Sequence, residues 1–81
     1  MTDITHSPSS SRFEAGSAYL AYQRSGNSFD IQHTVVPPEM EGQGIGGKLV
    51  QAAVDYARDE GLDLVVTCPF AKKWLEKHPV G

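Results

Sequence analysis

The segment Glu41-Gly42-Gln43-Gly44-Ile45-Gly46-Gly47-Lys48 decides the fold, because it joins two stretches of different hydrophobic period. Upstream, Phe29-Asp30-Ile31-Gln32-His33-Thr34-Val35-Val36 alternates as a half-buried strand does, with Phe29, Ile31, His33 and Val35 on the apolar face and Asp30, Gln32 and Thr34 on the other. Pro37-Pro38 lacks two ladder donors and ends that strand. Downstream, Ile45, Leu49, Ala52, Ala53, Tyr56 and Ala57 recur at helical spacing, and Gly61 stands where a left-handed stop is wanted. Leu62-Asp63-Leu64-Val65-Val66-Thr67-Cys68 then reads as a parallel strand covered on both faces, closed by Pro69. The order is strand, glycine loop, helix, strand.

Ahead of this unit, Arg12-Phe13-Glu14 and Ala18 to Arg24 read as two further strands, with turn residues Gly16 and Ser25-Gly26-Asn27 after them. Residues 1–11 are Ser-rich and aperiodic and are expected to be disordered, leaving 12–81 as one domain. After Pro69, Phe70 and Trp74 stand at i and i+4 of a short helix stopped by His78-Pro79. The predicted fold is α/β: three antiparallel strands, a crossover through the main helix to a fourth strand parallel to the third, and a short C-terminal helix.

Composition narrows the function. A chain of 81 residues holds one thin core. With 7 Lys plus Arg against 10 Asp plus Glu, a net charge of −3 and no basic stripe, nucleic acid is not an expected partner. Neither a membrane span nor a secretory signal is read, so a cytoplasmic location is expected. A single cysteine, Cys68, allows no internal disulfide and no cysteine-rich zinc site, and no metal is expected. A monomer or weak homodimer fits so small a core.

Glycines ahead of a helix let backbone amides approach an anion at the positive end of the helix dipole. Three motifs share that physics. A phosphate loop of the nucleotide triphosphatase kind needs Ser or Thr after the lysine, and Leu49 stands there. A dinucleotide fold needs an acidic residue at the end of the next strand, where Cys68 stands, and a second mononucleotide half. The third is a resemblance. Residues 35–65, "VVPPEMEGQGIGGKLVQAAVDYARDEGLDLV", look like the coenzyme A loop and helix of the GNAT superfamily of acyl-CoA N-acyltransferases. In that pattern an Arg or Gln, two residues, a Gly, one residue and a Gly or Ala follow an extended V-x-P. Gly44, Gly46, Val36 and Pro38 match, and Glu41 occupies the Arg/Gln place. The tail "TCPFAKKWLEKHP" resembles a small YjdJ-like or NATD-type single-domain branch.

The resemblance implies a minimal GNAT-like fold and an N-acetyltransferase moving an acetyl group from acetyl-CoA to an amine whose identity is not legible. It implies coenzyme binding by Val35 and Val36 of the strand and by Gln43, Gly44, Ile45, Gly46, Gly47 and Lys48 of the loop and helix start. The larger members carry further strands and a Tyr acid past this point, so that role transfers to no residue here. His33 is the candidate base, since imidazole is the usual side chain for proton transfer at physiological pH and this one is expected among apolar side chains, beside the bland reading of a satisfied, partly buried histidine. Cys68, at the carboxyl edge of a parallel strand, is either an acetyl-accepting thiol partnered by His33 or, with direct attack by the amine, a wall of the cleft or a proton donor. The rival reading is a coenzyme A-binding module without catalysis.

Overall fold

The computed structural model describes residues 4–78. Five strands form one sheet in sequence order: β1 (Thr5–Ser7), β2 (Arg12–Ala15), β3 (Ala18–Ser25), β4 (Ser28–Val35) and β5 (Asp63–Val66). The first four pair antiparallel and β5 joins β4 in parallel. Helix α1 (Ile45–Asp59) makes the crossover and α2 (Pro69–Lys77) follows β5. Pro79, expected to stop α2, lies outside the described residues.

Alternation builds the core. Phe13, Leu20, Phe29 and Ile31 bury one sheet face against Leu49, Val50 and Ala53 of α1. The opposite face is a polar ladder: the Arg12 guanidinium lies 4.2 Å over the Tyr19 ring, Gln32 donates to Gln23 at 2.9 Å, and Thr67 donates to Asp30 at 2.8 Å. Helix α1 ends as its sequence predicts. Gly61 takes φ +68°, its N–H donates to the Arg58 carbonyl, and the Leu62 N–H reaches back to the Ala57 carbonyl at 2.8 Å. That is a Schellman stop, satisfying two carbonyls the helix leaves open.

Three expectations fail. Residues 5–10 are structured, so the sheet has four antiparallel strands where three were expected. Strand β1 has no apolar period because its anchor is a histidine. The His6 ring stacks on Phe13 at 4.2 Å between centroids, meets the edge of Tyr56 at 4.5 Å, and places Nε2 2.7 Å from the Tyr22 hydroxyl. Strand β5 is not covered on both faces: Leu64 and Val65 are 39% and 45% exposed, because β5 is a sheet edge and the described helices lie on one face. The third failure concerns β4. Ala21 pairs with His33 while Tyr22 pairs with Ile31, so Gln32 is an extra residue, a β-bulge. Beyond it the alternation reverses, Thr34 turns to the helix side and His33 turns to the exposed ladder.

The His6 anchor has a pH signature. Burial lowers its pKa from 6.5, so the folded state favours the neutral ring and the unfolded chain binds the proton more readily. Stability from this site is therefore whole above pH 6.5 and is lost as pH falls through 6.5 toward the lowered folded value. The thermal midpoint of the wild type is expected to fall more steeply between pH 7 and 5 than that of His6→Phe, which keeps the stacking and removes the ionisation. Equal slopes would reject His6 as the source.

Candidate functional site

The site is a cleft opened where β4 and β5 part. Pairing between them ends at Ile31, whose carbonyl accepts from both Thr67 and Cys68 N–H at 3.0 Å. Past that point one edge of β4 stays on β3 and the other leaves β5, while Pro69 at the first turn of α2 carries the chain away. The resulting cleft holds about 470 Å³. Thr34 and Val36 from β4 and its exit line one side, Phe70 and Trp74 from α2 another, and residues 44–47 a third. Met40 and Glu41, from the turn after Pro37, complete the lining with Gly42.

Glycines serve two different purposes here. Gly44 is the N-cap of α1 at φ +73°, a left-handed backbone that an L side chain resists, and it offers no side-chain cap. The first intrahelical bond of the turn runs from Lys48 N–H to the Gly44 carbonyl at 3.1 Å, which leaves the amides of Ile45, Gly46 and Gly47 without helical partners. Gly46 and Gly47 lie in ordinary helix and are required by packing. A Cβ on Gly46 would come 2.6 Å from Phe70 Cζ and 3.3 Å from Val36 Cγ2, and one on Gly47 would collide with Trp74 Nε1. The two helices approach closely because these positions lack side chains.

Of the sequence-predicted residues, Val36, Gly44, Ile45, Gly46 and Gly47 line the cleft. Gln43 and Lys48 are exposed and flank it in sequence, and the Lys48 amide is spent inside the helix. Val35 turns its side chain, 41% exposed, to the ladder face. His33 is exposed on that same face, which overturns its expected position among apolar side chains and its pairing with Cys68. Cys68 is buried, 4% exposed, and its Sγ lies 3.6 Å from Thr34 Oγ1. It stands behind Thr34 and outside the cleft lining. Thr34 is the residue that sequence reasoning placed on the wrong face. Its signal is the bulge, and a bulge depends on which residues of β3 sit opposite.

A coenzyme with a diphosphate arm fits this shape in part. Free amides at the start of α1 suit a diphosphate. Glu41, the charged side chain of the lining, opposes it, since a carboxylate beside phosphates is repulsive.

A glycine-capped helix start and a cleft between two parting parallel strands define the class of this α/β domain as GNAT-like. The chain belongs to the GCN5-related N-acetyltransferase family, whose model matches residues 11–80. It is 38% identical over 64 residues to Protein NATD1 of Bos taurus, covering 78% of this chain and 57% of that protein. The Xenopus tropicalis NATD1 is 36% identical over 64 residues, with 78% and 59% covered. The chain thus spans less than two thirds of the curated relatives it matches. A GCN5-like protein from Staphylococcus aureus, solved by NMR, superposes with a TM-score of 0.75 at 35% identity, over 94% of this chain and 79% of that one. The GNAT-like α/β architecture and the NATD-type affinity read from the loop and tail motifs both hold.

Proposed function

We propose that the domain transfers an acetyl group from acetyl-CoA to an amine. The observation that carries this reading is the cleft itself, which sets unpartnered helix-start amides at one end and a free strand edge with Thr34 and Val36 at the other. The amides of Ile45 to Gly47 would take the diphosphate, and the edge of β4 would hold the extended amide arm by ladder hydrogen bonds. Phe70 and Trp74 would wall the cleft on the α2 side. The acetyl carbonyl then lies near Thr34, where the incoming nitrogen attacks the carbonyl carbon, the C–N bond forms as the C–S bond breaks, and the nitrogen's surplus proton goes through solvent to the departing sulfur. Cys68, buried behind Thr34, acts in this scheme as a wall and hydrogen-bond partner. His33 has no path to the cleft. The setting is the cytoplasm, and no described helix is long and apolar enough to cross a membrane.

One observation favours a second reading, a coenzyme-binding module without turnover. Glu41, exposed at the mouth, is the one carboxylate of the described lining, and no histidine of the described residues joins it there.

Thermal shift separates the ligand classes. At about 100 times its dissociation constant a ligand adds ~2.7 kcal/mol, which in a domain this small moves the midpoint by on the order of ten degrees. Acetyl-CoA and coenzyme A are expected to raise it, and NADH and ATP to leave it in place. No response to either coenzyme A compound would reject both readings, whereas binding without product across a panel of amines would favour the second.

A further inference from the structure

We propose that Thr34 is the residue by which the cleft recognises the acyl group, its hydroxyl donating a hydrogen bond to the carbonyl oxygen of a bound thioester. The inference rests on the coenzyme reading of the cleft and adds a specificity residue to it.

The bulge at Gln32 is what turns Thr34 toward the helices, in a strand whose upstream half sends Phe29 and Ile31 the same way. Thr34 there lines the cleft among Val36, Ile45 and Phe70, a setting with few acceptors for an O–H. From behind, the buried Cys68 thiol donates to Thr34 Oγ1 across 3.6 Å. A hydroxyl has one proton and two lone pairs, so accepting from Cys68 leaves the proton free for a second partner, and the space in front is the cleft. A thioester carbonyl supplies an acceptor without charge, which an apolar floor tolerates. When a nucleophile adds to that carbon, negative charge grows on the same oxygen and the hydrogen bond strengthens, while Thr34 keeps its proton throughout. Cys68 is the positioning group: its S–H fixes which lone pair Thr34 presents backward and hence where the O–H points.

The test compares two ligands by calorimetry, acetyl-CoA and S-ethyl-coenzyme A, which share every atom type of the arm and differ in the carbonyl. Wild type is expected to bind acetyl-CoA about fivefold tighter, the size of one neutral hydrogen bond. Thr34→Val, close in shape, is expected to bring the ratio to about one while binding of the S-ethyl compound stays as in wild type, and Thr34→Ser is expected to restore the preference. A variant that merely loosened the fold would weaken both ligands together. A ratio near one in wild type, or an unchanged ratio in Thr34→Val, overturns the assignment of Thr34 with the coenzyme reading intact. Failure of wild type to bind either compound overturns both, and the two failures are distinct.

Discussion

Gly47→Ala is expected to destabilise the domain by about 2 kcal/mol, while Gly46→Ala, one residue earlier, leaves stability nearly unchanged. Both substitutions gain up to ~1 kcal/mol of helix propensity, so the difference comes from what the new methyl meets. At position 46 it meets the far end of Phe70, a ring 45% exposed that can swing outward, and Val36 Cγ2 at a distance that a few tenths of an ångström relieves. At position 47 it meets the indole of Trp74, which has a stacking partner of its own. Trp74 stacks on His78 at 4.5 Å between centroids and its carbonyl accepts from the His78 N–H at 2.9 Å. Moving the indole therefore loosens the end of α2. Urea unfolding of the two variants measures the contrast, and Trp74→Ala supplies the decisive background: with the indole gone, Gly47→Ala is expected to become stabilising. Equal costs at both glycines, or no change of sign without the indole, would sink the packing argument and return these residues to a purely ligand-facing role.

The second large effect belongs to Glu41. Glu41→Arg is expected to tighten coenzyme A binding by about tenfold at low ionic strength, because it exchanges repulsion for attraction beside the diphosphate. The side chain is exposed, so salt screens it: near 1 M, where the Debye length is about 3 Å, most of the gain is expected to vanish. Pantetheine, which lacks phosphates, serves as the control and should bind both forms alike. A gain equal for pantetheine and coenzyme A, or one indifferent to salt, would mean that position 41 acts by shaping the turn after Met40.

Local chemistry made the crossover legible. The glycine loop, the periodic face of α1, the Gly61 stop and the strand after it each follow from residues within a few positions of one another, and each is found. Of the residues the family motif implied for coenzyme binding, Val36 and Gly44 to Gly47 are found on the cleft lining, whereas Val35, Gln43 and Lys48 are not. Non-local partners produced the errors. Strand β1 is held by a histidine against three aromatic rings from β2, β3 and α1, and no pattern within MTDITHSPSSS records that. The apolar run of β5 is a fair sign of a parallel strand, yet coverage depends on what lies beyond the edge, so Leu64 and Val65 stayed out of reach. His33 and Thr34 exchanged places because strict alternation was carried through a residue that the pairing with Ala21 and Tyr22 sets aside.

The bulge makes the contents of the cleft a matter of parity. Counted from Ile31, an even step reaches the helix side in a regular strand, and the spare residue Gln32 converts that rule to an odd one, which selects Thr34. Deleting Gln32 would cost a bulge and keep the same selection, because two changes of count cancel. Inserting one residue without changing the bulge would deliver His33 into the cleft in place of the hydroxyl, and removing one would deliver Val35. A relative whose strand differs by one residue can therefore present a different functional group at the same point in space, with every other element of the fold unmoved.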